Sequence, residues 1–137
     1  MQEHEAGRTP FLSAGDAHLQ AMSLPIGEIV RLLLELLDAT TVAVIAGVSE
    51  TRAVHSWLGG REPQRPQVLR FALQLAAMIA NAGEAEICKA WFHGSNPNLN
   101  DRVPMIMLRD FPLSDVQRDL LGAARLFAAR PGTGSAG

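Results

Sequence analysis

The chain has 137 residues and a formal net charge of −2, room for one domain or for two small ones sharing a core. Its single cysteine excludes an internal disulfide and points to a reducing cytoplasm. No apolar run reaches the roughly 18 residues that span a bilayer, and the net charge argues against a protein that coats nucleic acid while leaving room for a local basic face.

Residues 1–22 lack apolar periodicity and read as a mobile arm. Their acidic start, Met1-Gln2-Glu3-His4-Glu5, is not a signal peptide. Ser23-Leu24-Pro25 opens the first helix, with Pro25 expected in its first turn. Ile26, Ile29, Val30, Leu33, Leu36 and Leu37 form its apolar stripe, and Leu32 and Leu34 widen it.

Asp38-Ala39-Thr40 then breaks to a helix-turn-helix pair. A short apolar helix from Thr41 to Ala46 stops at Gly47, which tolerates the left-handed backbone of such a turn. Val48 is placed to fill the space between the two helices. Ser49 and Thr51 are both N-cap candidates for a second helix that runs to Leu58 and stops at Gly59-Gly60. Val54 and Trp57 are expected to anchor that helix. Glu50, Thr51, Arg52 and His55 are left to reach base edges, with Arg52 suited to a bidentate guanine contact. Arg61 and Arg65, just beyond, suit phosphate contacts that set register. From Arg52 to Arg70 four arginines face one glutamate, Glu62. Against this stand Glu50, unfavourable near phosphates, and a second helix of modest charge. A helix-turn-helix that reads no DNA and serves as a dimer scaffold is the alternative.

Pro63 and Pro66 mark a linker, and Pro66 opens a long helix that ends near Ala82, before Gly83. This helix is apolar nearly all round, so it lies either at the centre of the core or at a subunit interface. A short helix from Glu84 to Phe92 follows, burying Ile87 and Trp91. The loop from His93 to Asn100 is built of turn formers. A segment from Val103 to Leu108 is broken by Asp110-Phe111-Pro112. The last helix is expected from Ser114, with Gln117 completing a capping box, and it buries Val116, Leu120, Ala123, Ala124 and Phe127. Residues 130–137 read as a flexible tail. The fold class is all-α, with a helix-turn-helix domain over 23–82 and a small helical domain over 83–129.

Nothing in the pattern suggests catalysis, a cofactor or a metal. Asp115 and Asp119 fit a solvated face and the helix dipole. Cys88 and His93 lack the further ligands that zinc requires. A Cys–His nucleophile is disfavoured because Cys88 lies beside Trp91 and is expected to be buried.

Two stretches carry a resemblance. The first is Arg52-Ala53-Val54-His55-Ser56-Trp57, followed by Gly60 and Pro63-Gln64-Arg65; the second is Trp91, Asn96, Leu99, Arg102, Pro104, Leu108 and Asp110. In order and spacing the chain resembles the Xre/MbcA/ParS-type antitoxins over roughly residues 26–128. Those proteins pair a helix-turn-helix with a small C-terminal helical domain that binds a toxin. The resemblance implies a cytoplasmic antitoxin of a type II pair, whose partner is a RES-domain toxin that consumes NAD+. It also implies repression of its own operon, as a homodimer or a larger toxin–antitoxin hetero-oligomer. The implied toxin-binding residues are Trp91, Asn96, Leu99, Arg102 and Pro104, with Arg125, Phe127 and Arg130 as candidates to reach the toxin's active site. The NAD chemistry belongs to the partner. Three features depart from the pattern: a longer turn before the second helix, Ser95-Asn96-Pro97 where many relatives place Pro before Asn, and the Gly-rich tail. A stand-alone helix-turn-helix regulator with a C-terminal dimerisation or ligand domain is the alternative, and an interaction adaptor with a vestigial helix-turn-helix a third.

Overall fold

The computed structural model describes residue 18, residues 21–82 and residues 85–130. From residue 26 onward, the described residues form seven α-helices in chain order: α1 (Ile26–Leu36), α2 (Ala39–Ala46), α3 (Thr51–Leu58), α4 (Pro66–Ala82), α5 (Ala85–His93), α6 (Pro104–Asp110) and α7 (Leu113–Ala129). A 3-10 turn, Pro97–Leu99, lies between α5 and α6. Among the described residues no strand forms, and the Asn96–Arg102 pair is an isolated bridge. The all-α class expected from the sequence is the observed one.

The helix ends show where local chemistry departs from the sequence expectation. Pro25 sits outside α1 as its cap, its carbonyl accepting from the backbone of Glu28 and Ile29 at 3.0 and 3.1 Å. Asp38 starts α2 two residues early, because its Oδ1 accepts the Thr41 N–H at 2.8 Å. At the other end Gly47 adopts φ +79°, and the N–H groups of Gly47 and Val48 bond back to Val44 and Ala43. This paired closure satisfies the last carbonyls of α2. Neither Ser49 nor Thr51 caps α3; Glu50 holds the cap position without a side-chain bond. The capping box at Ser114 and Gln117 does not form either. Pro112 starts α7 one residue earlier, its carbonyl accepting from Asp115, and this leaves Ser114 inside the first turn.

Helix α4 is the axis. Val68, Leu69, Ala72, Leu73, Leu75, Ala76 and Ile79 are buried on it, with α1 on one flank and α5 and α7 on others. Its all-round apolar character is therefore that of a core helix. Helix α3 crosses α1 closely, and a Cβ at Gly27 would lie 3.3 Å from the Trp57 carbonyl oxygen. Helix α2 packs on α3 and also on α6. One cluster of buried side chains runs from Ile26 to Ala124, straight across the expected domain boundary at 82/83. The two halves share a single core.

Polar clasps reinforce that union. Thr41 Oγ1 on α2 lies 2.7 Å from His93 Nε2 on α5, and Lys89 Nζ reaches Asp38 Oδ2 at 3.0 Å. Arg70 on α4 donates to the carbonyls of Ala21 and Leu24 at 3.0 and 2.7 Å. Ala21 is buried, and residues 18 and 21–23 are helical. The expected arm thus contributes to the frame by residue 21. Its remaining residues, and the tail at 131–137, lie outside the described residues.

Candidate functional site

The first candidate surface is the outer face of α3. Val54 and Trp57 are buried, which fixes the rotation of the helix and turns Thr51, Arg52 and His55 outward. Arg61, past the end of α3, is also exposed. Arg52 is 85% exposed and its Nη2 donates to Glu50 Oε1 at 2.9 Å. A shallow groove of about 540 Å³ runs between α3 and the segment that follows it, with Arg52, Arg61, Glu50 and Glu62 on its walls. Two cations against two carboxylates leave this groove without net charge.

Arg65 is a correction. The sequence grouped it with the phosphate contacts, but its guanidinium turns inward. Nη2 donates to Leu108 O at 2.9 Å and Nη1 to Arg109 O at 3.2 Å. Longer bonds reach Phe111 O at 3.4 Å and Ile45 O at 3.5 Å. A helix leaves its last carbonyls unmet, and Arg65 meets those of α6. Of the four arginines between residues 52 and 70, Arg65 and Arg70 bind the frame, and Arg52 and Arg61 face outward.

The second surface is built by α5, the loop after it and α7. The loop closes on itself through backbone and side chain together. Asn96 accepts from Leu99 and Asp101 through its carbonyl and from the Asn98 N–H through Oδ1, while its own N–H bonds to Arg102 O. Arg102 Nε donates to Leu99 O at 2.9 Å, and its Nη2 lies 3.9 Å from Asp119. Asn100 and Asp101 complete the loop at positive φ, 59° and 65°. This ring drives Leu99 into the core, 1% exposed, and Pro104 opens α6 in a buried position. Leu99 and Pro104 therefore hold the loop in place instead of presenting their side chains to a partner, a correction to the expected contact set.

Four of the expected toxin-binding residues do come together. Trp91, Asn96, Phe127 and Arg130 line one pocket of about 330 Å³. Trp91 is 7% exposed and packs edge-on against Phe92, ring centroids 5.2 Å apart. Arg130 lies 3.9 Å above the Phe127 ring, a cation–π geometry. Arg125 stands apart, on a separate concavity with Met78 and Ala82. Leu126, 58% exposed, also borders the Trp91 pocket and was missed in the sequence. Its signal was an apolar residue on the polar side of the α7 stripe.

Cys88 is fully buried, donates to Ala76 O at 3.1 Å, and burial pushes its thiol up to about 12. Among the described residues no three potential metal-ligating side chains gather, and no helix is long and apolar enough to cross a membrane. No family model, curated protein or solved structure matches the chain.

Proposed function

We propose that this chain is a cytoplasmic antitoxin that binds and inhibits a RES-domain, NAD+-degrading toxin and represses its own operon. The observation that carries this reading is the convergence of Trp91, Asn96, Phe127 and Arg130 on one pocket. They come from two stretches remote in sequence, Trp91 and Asn96 in one and Phe127 and Arg130 in the other, and the resemblance assigns all four to a partner. They sit in a molecule that also has a left-handed turn at Gly47 and an outward-facing Thr51–Arg52–His55 row.

On this reading α3 enters the major groove. Thr51, Arg52 and His55 reach base edges, and Arg61 contacts phosphate. The neutral groove beside α3 makes one copy a weak DNA ligand, so repression depends on an assembly that presents several copies at once. Phe127 and Arg130 occlude the toxin, with Arg125 as a second contact on its own face. The chain itself performs no chemistry.

The test is coexpression with the protein encoded beside it. Growth rescue and a co-purifying complex are the expected results, both lost in Phe127→Asp and Arg130→Glu. A RES-domain neighbour that stays toxic in the presence of this chain overturns the proposal. A specific DNA footprint with no toxin gene nearby replaces it with a stand-alone regulator.

A further inference from the structure

The N-terminal segment runs antiparallel to α4. The carbonyls of Ala21 and Leu24 accept from Arg70 at 3.0 and 2.7 Å, and His18 Nδ1 lies 3.3 Å from Gln74 Oε1. Going back along the chain from Leu24 to His18 therefore means going forward along α4 from Arg70 to Gln74. Arg70, Gln74, Met78 and Asn81 share one stripe of α4, because residues three and four apart are neighbours on a helix. One turn past Gln74 this stripe reaches a concavity of about 320 Å³. Met78, Asn81 and Ala82 form one side of it, and Arg125, Ala128 and Ala129 of α7 the other. The segment is thus aimed at this concavity, with residues 1–17 of the chain ahead of it.

Reach and chemistry narrow the occupant. From Gln74 to Asn81 α4 rises about 10 Å, at about 1.5 Å per residue. Phe11 stands as far from His18 in sequence as Asn81 does from Gln74. That length of chain spans about 10 Å as a helix and about 23 Å fully extended, so Phe11 reaches the concavity in either form. Within residues 1–17, Phe11 and Leu12 are the one pair of adjacent large apolar side chains. A closed cavity of about 150 Å³ holds a benzene ring, and the concavity, at about 320 Å³, has room for both side chains. The same segment carries Glu3, Glu5 and Asp16 against Arg8, a balance of charge that suits Arg125 on the rim.

We propose that Phe11 and Leu12 seat in this concavity and extend the clasp of the N-terminal segment along α4. The seat itself does not rest on the antitoxin reading. Its consequence does: the seated segment covers the Arg125 face, and a toxin reaches that face only by displacing it.

The experiment records 13C-edited NOE spectra of the full chain. The Phe11 ring protons should give cross-peaks to the Met78 and Ala128 methyls, and Phe11→Ser combined with Leu12→Ser should shift both methyl resonances. Ala128→Glu, at an exposed position, should abolish the cross-peaks by filling the seat, while the methyls of the buried Leu99 report an intact fold. A parent chain without the cross-peaks, or methyls that do not respond to the double substitution, overturns the inference. Cross-peaks that arise only between labelled and unlabelled chains also overturn it, because a second copy then supplies the occupant. On the antitoxin reading the double Ser variant should bind the toxin severalfold more tightly than the parent. Unchanged affinity, with the cross-peaks present in the parent, overturns the competition alone. A parent and variant that both show the expected spectra but bind no toxin overturn the antitoxin reading alone.

Discussion

The guanidinium of Arg65 donates to the carbonyl of Leu108 at 2.9 Å, tying the linker before α4 to the last turn of α6. Because α6 is only seven residues long, its C-terminal carbonyls make up much of its polar surface. Removing a charged donor from several backbone acceptors costs about 2 kcal/mol, so Arg65→Ala should unfold at clearly lower urea than the parent. Arg65→Lys should recover less than half of that loss, because one ammonium cannot span carbonyls that a planar fork reaches together. An Ala variant with the parent's urea midpoint would remove Arg65 from the frame and return it to the phosphate contacts.

Asp38 links pH to stability. Hydrogen bonds from Thr41, side chain first and backbone second, together with Lys89, hold its carboxyl down to about 2 from 3.8. The folded form thus binds its proton less readily than the unfolded chain. The stabilisation is complete above pH 3.8 and is lost as pH falls towards 2. Asp38 is 44% exposed, so solvent screening trims the effect to about 1 kcal/mol. Asp38→Asn keeps a good N-cap and should flatten this acid limb in urea midpoints taken from about pH 5 downward. Parallel pH curves for the two proteins would show that Asp38 is not the group responsible.

The periodic elements were legible in the sequence because their cause is local. The stripe of α1, the all-round apolar α4 and the stop at Gly47 follow from side-chain size and backbone freedom alone. The roles of Arg65 and Arg70 were not legible, since their partners are backbone carbonyls, which any residue type carries. The sequence allowed a shared core but did not show that it runs across residues 82 and 83, for a related reason. Gly83 punctuates the chain as a boundary would, but α4 has two apolar faces, and α1 and α7 each need one of them. At the pocket, Trp91 and Asn96 carried a sequence signal, whereas their meeting with Arg130 depends on how α5 and α7 pack.

Asn100 adopts φ 59° and ψ 40° at the end of the 3-10 turn, where a left-handed residue is needed to bring Arg102 back to Asn96. Asparagine tolerates this region, while alanine pays roughly 1 kcal/mol or more. Asn100→Ala should therefore lower stability by about 1 kcal/mol and broaden the amide signals of residues 96–102, while Asn100→Gly should stay within about 0.5 kcal/mol of the parent. An Ala variant as stable as the parent would mean that the loop relaxes to another turn, and the position of Asn96 at the pocket would relax with it.

Glu50 restrains Arg52, the residue the proposed function assigns to a guanine, through the 2.9 Å ion pair at the start of α3. Both side chains are well exposed, so the pair itself adds little stability. On the proposed function its effect on DNA is larger, because a carboxylate at the tip of a helix in the major groove repels phosphate and competes for the guanidinium. Glu50→Gln should leave the urea midpoint unchanged and tighten operator binding severalfold, about 1 kcal/mol at low salt. Arg52→Ala and Arg61→Ala should weaken it, with the lost phosphate contact of Arg61 lowering the slope of log K against log salt by about 0.9. Base and phosphate contacts then separate by experiment: Arg61→Ala should weaken all sequences alike, while Arg52→Ala should also relax the preference at one base pair. If Glu50→Gln leaves DNA affinity where it was, and neither arginine matters, α3 is a structural helix and the DNA half of the proposed function falls.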